Sequence, residues 1–284
     1  MKELLDNVVL ILYQPQDVIN VGAVVRVMSN FGLRRLRLVE PAAYDPHRIE
    51  GIAHHTAPVI EAIERVPSLE AAIADCGFVL GATARARGVK RERLTPRNAA
   101  NTLLQANRID PQNVSAVLFG REDDGLPNEA LDYCHALVTI PTDDFNASLN
   151  LAQATLVIAY ELWLAANPQI ESLYPVPAQP IAQVHTEGTP PRWGEPASVM
   201  LALQNALSED IRLANGTDRE AIFAALSDLL LTLHPNSADE RLTYSMSRLR
   251  AVLLRAAPRR DESRMLAHLF QNINRKLLKL KGGN

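Results

Sequence analysis

Three short clusters in the first 154 residues carry side chains suited to holding an anion or a polar substrate. They are Asn20-Val21-Gly22 with Arg26, Gly120-Arg121-Glu122 with Gly125-Leu126, and Ile140-Pro141 followed by Ser148-Leu149-Asn150-Leu151-Ala152. Arg26 is a permanent cation whose planar fork of donors matches phosphate or carboxylate. It stands among Val25, Val27 and Met28, so it requires a partner, either a structural ion pair or a bound ligand. Asn20 reads as a helix N-cap, and Gly22 admits a ligand or another backbone at close range. In the second cluster, glycines bracket a tight turn where positive φ is expected, and Glu122 either caps a backbone group or holds an arginine. Ser148 and Asn150 open a helix whose free amides favour an anionic group, unless the two residues serve only as caps. Adjacent Asp123 and Asp124 invite a metal. No histidine or further acid stands near at ligand spacing, so no metal is expected.

A fourth stretch, Gly81-Ala82-Thr83-Ala84, is small enough for a ligand to lie against the main chain. Five cations follow within nine residues: Arg85, Arg87, Lys90, Arg91 and Arg93, against one acid, Glu92. Such a loop neutralises phosphates or is simply solvated. Glycine-rich dinucleotide and P-loop signatures are absent, as is a Gly-x-Ser-x-Gly nucleophile elbow. His54 and His55 are neighbours that face apart in regular structure, and His135, His185, His234 and His268 are isolated. The two cysteines, Cys76 and Cys134, suit a reducing cytoplasm and argue against a disulfide scaffold.

The elements that must position these clusters read as alternating strands and helices. Val8 to Tyr13 is a continuous apolar run of the kind buried in parallel sheets, and similar runs are Leu36 to Val39, Phe78 to Leu80, Ala116 to Phe119 and Leu137 to Ile140. Helical patterns fall between them, at 20–31, about 59–75, 96–106, 127–134 and 149–166. This alternation predicts an α/β fold: a mostly parallel sheet with helices on both faces. Ligands in such sheets bind outside the carboxyl ends of the strands, where all three clusters fall.

After Asn167 the composition changes. Seven prolines between Pro168 and Pro196 predict an extended linker over 168–195, because proline lacks an amide donor. Helical patterns resume at about 196–214, 218–233, 238–256 and 261–280. The expected organisation is therefore a domain over 1–167, the linker, and a small all-helical domain over 196–284. The formal net charge is −3. The segment from Ala238 carries 11 Lys or Arg against 4 Asp or Glu, a net +7, which leaves −10 on the other 237 residues. A basic tail on an acidic body suits an anionic partner or a solvated helix face. No apolar run reaches the roughly 18 residues of a membrane span, and the N-terminus lacks a signal-peptide pattern, so a cytoplasmic protein is expected.

Taken together, the spacings Asn20-x-Gly22-x-x-x-Arg26, Gly120-Arg121-Glu122-x-x-Gly125-Leu126 and Ile140-Pro141…Ser148-Leu149-Asn150-Leu151-Ala152-x-Ala154 resemble the three motifs of SpoU/TrmH-type RNA ribose methyltransferases of the SPOUT superfamily. The resemblance covers about residues 7–166. It is nearest the TrmJ type, tRNA 2′-O-methyltransferases acting at position 32 of the anticodon loop, whose Gly-x-Ser/Thr-Ala-Arg turn is similar to Gly81 to Arg85. The stretch from Met246 to Pro258 and Glu262 resembles that type's helical extension.

The resemblance implies a sheet ending in a trefoil knot, S-adenosylmethionine as methyl donor, tRNA as substrate and a homodimer whose two subunits complete the site; the alternatives are ribosomal RNA or another tRNA position as the target, or an RNA-binding protein of the same fold without turnover. It implies cofactor contacts from Ala82, Thr83, Ala84, Gly120, Ile140, Ala147, Ser148 and Leu149. Asn20, Arg26 and Ser148 become the catalytic set, and Arg26, Arg85, Arg87 and Arg91 the RNA contacts. The pKa of an arginine argues against proton acceptance by Arg26, so its expected role is to bind the adjacent phosphate and stabilise the developing alkoxide. The two acids Asp123 and Asp124 stand at variable positions of the second motif, where they would repel RNA phosphates unless they face away.

Overall fold

The computed structural model describes residues 2–84, 91–143, 145, 148–170, 212–233, 239–256 and 258–281. Seven strands form one sheet in the order β3-β2-β1-β6-β4-β7-β5: β1 Val8–Tyr13, β2 Arg35–Val39, β3 Glu64–Val66, β4 Cys76–Ala82, β5 Arg93–Leu94, β6 Val114–Phe119 and β7 Ala136–Val138. Every pairing is parallel. Strands β1, β4, β6 and β7 are apolar on both sides, as their sequences predict. Val8, Leu10 and Leu12 of β1 pack with Met28, Leu103 and Ile158, whereas Val9 and Ile11 pack on the opposite face with Leu69, Ile73 and Leu131. Helices α1 Lys2–Asp6, α2 Val18–Asn30, α6 Pro96–Ile109 and α8 Leu151–Ala166 supply the first face, and α5 Leu69–Ile73 and α7 Asn128–Leu131 the second. Between β2 and β3 lie α3 Pro46–Ile52 and α4 Ala57–Glu61. Gly22 lets α2 meet α3: a Cβ there would stand 3.0 Å from two carbons of Ile52.

The expected helix over 59–75 is instead α4, the edge strand β3 and α5. The cause is local. Pro67 holds Val66 out of the helical region, and the side chain of Ser68 then caps α5 by accepting from the amide of Ala71 at 3.2 Å. The helix expected over 127–134 is shorter, and the two-residue strand β5 escaped the apolar-run pattern because one of its residues is Arg93. The loop segments 85–90 and 146–147 on the course of the implied knot lie outside the described residues, as do most of the linker 168–195 and of the helix expected over 196–214. The described end of the latter is not helical, and Leu213 pairs with Arg259 in an isolated bridge.

Helices α9 Gly216–Leu233, α10 Asp239–Ala256 and α11 Arg260–Lys281 follow, with α9 packed on α10, α11 and α5. Buried Arg219 ties them to the sheet by donating to the carbonyls of Cys76 at 2.9 Å and Gly77 at 3.0 Å, and to that of Ala214. Among the described residues no helix is long and apolar enough to cross a membrane.

Candidate active site

The strand order reverses between β1, whose chain runs on to β2 and β3, and β6, which continues towards β4 and β7. Crevices at such reversals, beyond the carboxyl ends of the strands, are where α/β sheets bind ligands. Here the loops after β1 and β6 meet through Glu122. Its carboxylate accepts from the amide of Gln16 at 3.0 Å, the amide of Asp17 at 3.4 Å and Nδ2 of Asn20 at 3.1 Å. Of the two roles the sequence left open for Glu122, this is the capping one. The N-cap of α2 is Asp17, which accepts from the amide of Ile19 at 2.8 Å. Asn20 therefore sits in the first turn rather than at the cap, and its amide is free to bridge.

That bridge reaches the third cluster. Oδ1 of Asn20 accepts from Nδ2 of Asn150 at 3.1 Å, while Oδ1 of Asn150 caps α8 by accepting from the amide of Ala152 at 2.8 Å. Gln153 answers by accepting from the amide of Asn150 at 3.3 Å, completing a capping box. Asn150, not Ser148, thus caps α8. The relay Glu122–Asn20–Asn150 joins all three clusters across 130 residues of chain.

The turn after β6 is closed by main-chain bonds between Arg121 and Gly125 in both directions, at 3.2 and 2.9 Å. Gly125 has φ +67°, and a Cβ on Gly120 would stand 2.1 Å from the Gly125 carbonyl carbon, so neither position accepts a side chain. Asp123 is engaged rather than bare. It accepts from Arg121 at 2.9 and 3.0 Å and from Nε2 of Gln16 at 2.9 Å, and the Arg121 bond above all holds its carboxyl well below the usual carboxylate range.

Beneath this junction lies a cleft of about 790 Å³, open solvent included, across the ends of β4, β6 and β7. Ala82, Thr83 and Ala84 form one wall, and Phe119 and Gly120 to Gly125 another. Val138 and Ile140 lie after β7, and Ser148, Leu149, Leu151, Ala154 and Ile158 enter from α8 and the segment before it. The floor is aliphatic and the rim carries Glu122, Asp123 and Asp124. The turn at Thr83 is pinned on both sides: its amide donates to the Val138 carbonyl at 3.1 Å, and its carbonyl accepts from Oγ1 of Thr139 at 3.0 Å.

The structure therefore brings Ala82, Thr83, Ala84, Gly120, Ile140, Ser148 and Leu149 to one cleft; Ala147, Arg85 and Arg87 lie outside the described residues. Arg26 does not line it. It is exposed, two turns further along α2, and donates to the carbonyl of His54 at 2.5 Å. Arg91 requires a correction. It is not an RNA-facing cation: its side chain is 1% exposed and donates to the carbonyls of Leu131 and Asp132 at 3.0 Å and to Oδ1 of Asp132 at 3.3 Å. An aliphatic stem packed beneath α7, with carbonyls aimed at the head, outweighs solvation of the charge. Residues that sequence reasoning passed over are Gln16 and Asp17, and Ile158 of the cleft floor; Leu151 and Ala154 stood in the third motif without an assigned role. Asp17 before an apolar run is a readable cap signal, whereas the floor residues look like ordinary core. Among the described residues no group of His, Cys, Asp or Glu is arranged to hold a metal.

A doubly wound parallel sheet, with its cleft across the strand ends and helices appended at the carboxyl side, defines an α/β protein of the SPOUT methyltransferase fold. Residues 7–160 match the model of the SpoU rRNA Methylase family, and the chain belongs to that family. It is 37% identical over 167 residues to the tRNA (cytidine/uridine/adenosine-2′-O-)-methyltransferase TrmJ of Pseudomonas aeruginosa, covering 58% of this chain and 64% of that one. It is equally 37% identical over 157 residues to the tRNA (cytidine-2′-O-)-methyltransferase TrmJ of Methanocaldococcus jannaschii, covering 54% and 66%. The chain thus spans a little under two thirds of these relatives' lengths. The crystal structure of TrmJ from Z. mobilis superposes with a TM-score of 0.71 at 25% identity, covering 93% of this chain and 98% of that one.

Proposed function

We propose that this protein transfers a methyl group from S-adenosylmethionine to a ribose 2′-hydroxyl of tRNA, at nucleotide 32 of the anticodon loop, in the cytoplasm. The observation that carries the reading is the Glu122–Asn20–Asn150 relay at the mouth of the cleft. It spends three family-motif residues on holding loops in register beside the cleft, which is what a reaction governed by alignment needs. The activities of the TrmJ relatives support the chemistry and the tRNA substrate.

The cleft fits the donor by shape and charge. The short residues Ala82 and Ala84 leave main chain open to an adenosyl group, and the acidic rim of Glu122, Asp123 and Asp124 suits a sulfonium cation. When bound, that cofactor supplies an already activated methyl group. The chain's own residues then bind and orient. Thr83 and Ile140 present backbone beside the floor, Ser148 and Asn20 orient the ribose, and Arg26 holds the neighbouring phosphate and stabilises the alkoxide. Arg85 and Arg87 extend the RNA contact, without Arg91.

Arg26 lies away from the cleft of its own chain, which favours a homodimer in which Arg26 of one copy serves the other. Ile19 on α2 and Leu156 and Tyr160 on α8, two helices packed on one another, are exposed apolar residues available to a second copy. In this reading residues 1–167 are catalytic and 196–284 contribute RNA binding, and no metal takes part.

The test is to incubate the full chain with methyl-labelled S-adenosylmethionine and tRNA and to map 2′-O-methyl groups by mass spectrometry. The expected outcome is methylation at nucleotide 32, with Arg26→Lys at least about tenfold slower because it keeps the charge but loses the fork. Methyl on a base, or a wild-type rate for Arg26→Lys, overturns the account.

A further inference from the structure

The buried Arg91 leaves a question that the transfer chemistry does not absorb: what a guanidinium at the end of a basic loop does inside the protein. Its partner answers it. Oδ1 of Asp132, just past α7, accepts from Arg91 at 3.3 Å and from the hydroxyl of Ser247 on α10 at 2.9 Å. One carboxylate oxygen thus joins the C-terminal helices to the residue that precedes β5. The path then continues without a gap. The carbonyl of Glu92, next to Arg91, accepts from the amide of Leu137 at 2.9 Å, and that of Leu94 from the amide of Thr139 at 3.0 Å. Thr139 and Val138 hold the main chain of Thr83 at the cleft wall. Nothing in this path is exposed loop: Arg91 is buried, β5 and β7 are paired, and Thr83 is bonded at both its amide and its carbonyl.

The neighbouring contacts make Asp132 the joint rather than one tie among many. Arg250, one turn beyond Ser247, pairs with Glu220 at 2.5 Å and lies over the rings of Tyr133 and Phe223, so it clamps α10 to α9 and α7. Its hydrogen bonds go to Glu220, and it acts on Asp132 and Arg91 through charge alone. Asp132 is bonded both to α10 and to Arg91.

We propose that Asp132 is a positioning residue through which the C-terminal helices set the placement of the Thr83 wall, so that their seating on Asp132 controls how tightly the cleft holds S-adenosylmethionine. This rests on the proposed binding of that cofactor in the cleft. Loss of the Ser247 bond releases one of two donors from Asp132, and loss of Asp132 also releases the charge partner of Arg91.

The experiment uses the full chain and measures the Kd for S-adenosylmethionine by calorimetry beside the melting temperature. Asp132→Ala is expected to weaken cofactor binding about tenfold and Ser247→Ala about threefold, the range of coupling carried by such networks. Asp132→Asn, which keeps an acceptor for both donors, recovers part of the loss. Ser247→Ala added to Asp132→Ala has no further effect, because its partner is already gone. Glu220→Gln loosens the same seam through Arg250 and leaves the Kd unchanged, an outcome that a merely structural role of the seam does not produce. A wild-type protein that binds no S-adenosylmethionine defeats the proposed function itself. Wild-type binding with equal Kd in Asp132→Ala and Ser247→Ala, or equal weakening by Glu220→Gln, overturns the positioning role.

Discussion

The mouth of the cleft and the seam beneath the C-terminal helices solve the same problem in opposite ways. Both must hold together segments 40 or more residues apart in the chain. At the mouth, short side chains bond to one another near solvent: Glu122 to Asn20, Asn20 to Asn150. In the seam, long arginines are driven inside and bond to main-chain carbonyls: Arg219 to Cys76 and Gly77, Arg91 to Leu131 and Asp132. Burial pushes the Arg219 guanidinium down to about 10, still charged at neutral pH. The difference teaches where function can be placed. A relay of short polar groups leaves open space beside it for a substrate, whereas a buried guanidinium fills its space and serves only to fasten. Charge at the surface is adjustable, but charge in the interior is committed to its acceptors.

The comparison is broken or sharpened first at the seam. Arg219→Ala leaves the carbonyls it served without that donor and opens a cavity between α9 and β4. A loss of roughly 3–5 kcal/mol in equilibrium denaturation is expected. A loss below about 1 kcal/mol would mean that the seam is not fastened there. The mouth should respond less. Glu122→Ala removes the acceptor of two amides and of Asn20, at a cost of about 1–3 kcal/mol, and Glu122→Gln keeps an acceptor and costs less. Identical losses for the two variants would show that the amides find other partners.

The smallest effect is a pH dependence at the start of β7. His135 is fully buried against Phe78, and its Nδ1 accepts from the amide of Val79 at 3.0 Å. Burial, then the charges of Arg219 and Arg91, hold its pKa well below the ordinary value. The native imidazole stays neutral while the unfolded one protonates below about pH 6.5. The unfolded state therefore binds more protons in that window, and stability falls as pH falls through it, by about 1.4 kcal/mol at pH 5.5. Denaturation midpoints between pH 7 and 5.5 measure it, and His135→Gln should flatten the slope. An unchanged slope in that variant assigns the dependence to other groups.

Much of this molecule follows from local pattern. Unbroken apolar runs such as Val8 to Tyr13 read as strands buried on both faces, and their alternation with helical periods implies a mostly parallel sheet, which the structure shows. The glycines around Arg121 announce their turn, and Asn150 with Gln153 announces the start of α8. These features are legible because they depend on residues within a few positions of one another. The fates of the arginines are not. Arg91 stood in the most basic stretch of the chain and is buried, whereas Arg26 stood among valines and is exposed. Nor could spacing show that Glu122 meets Gln16 and Asp17, or that Ser247 meets Asp132. A side chain's period along the backbone is set by its neighbours in sequence. Its burial and its hydrogen-bond partner are set by whatever the fold packs against it, and here those partners lie 28 to 143 residues away.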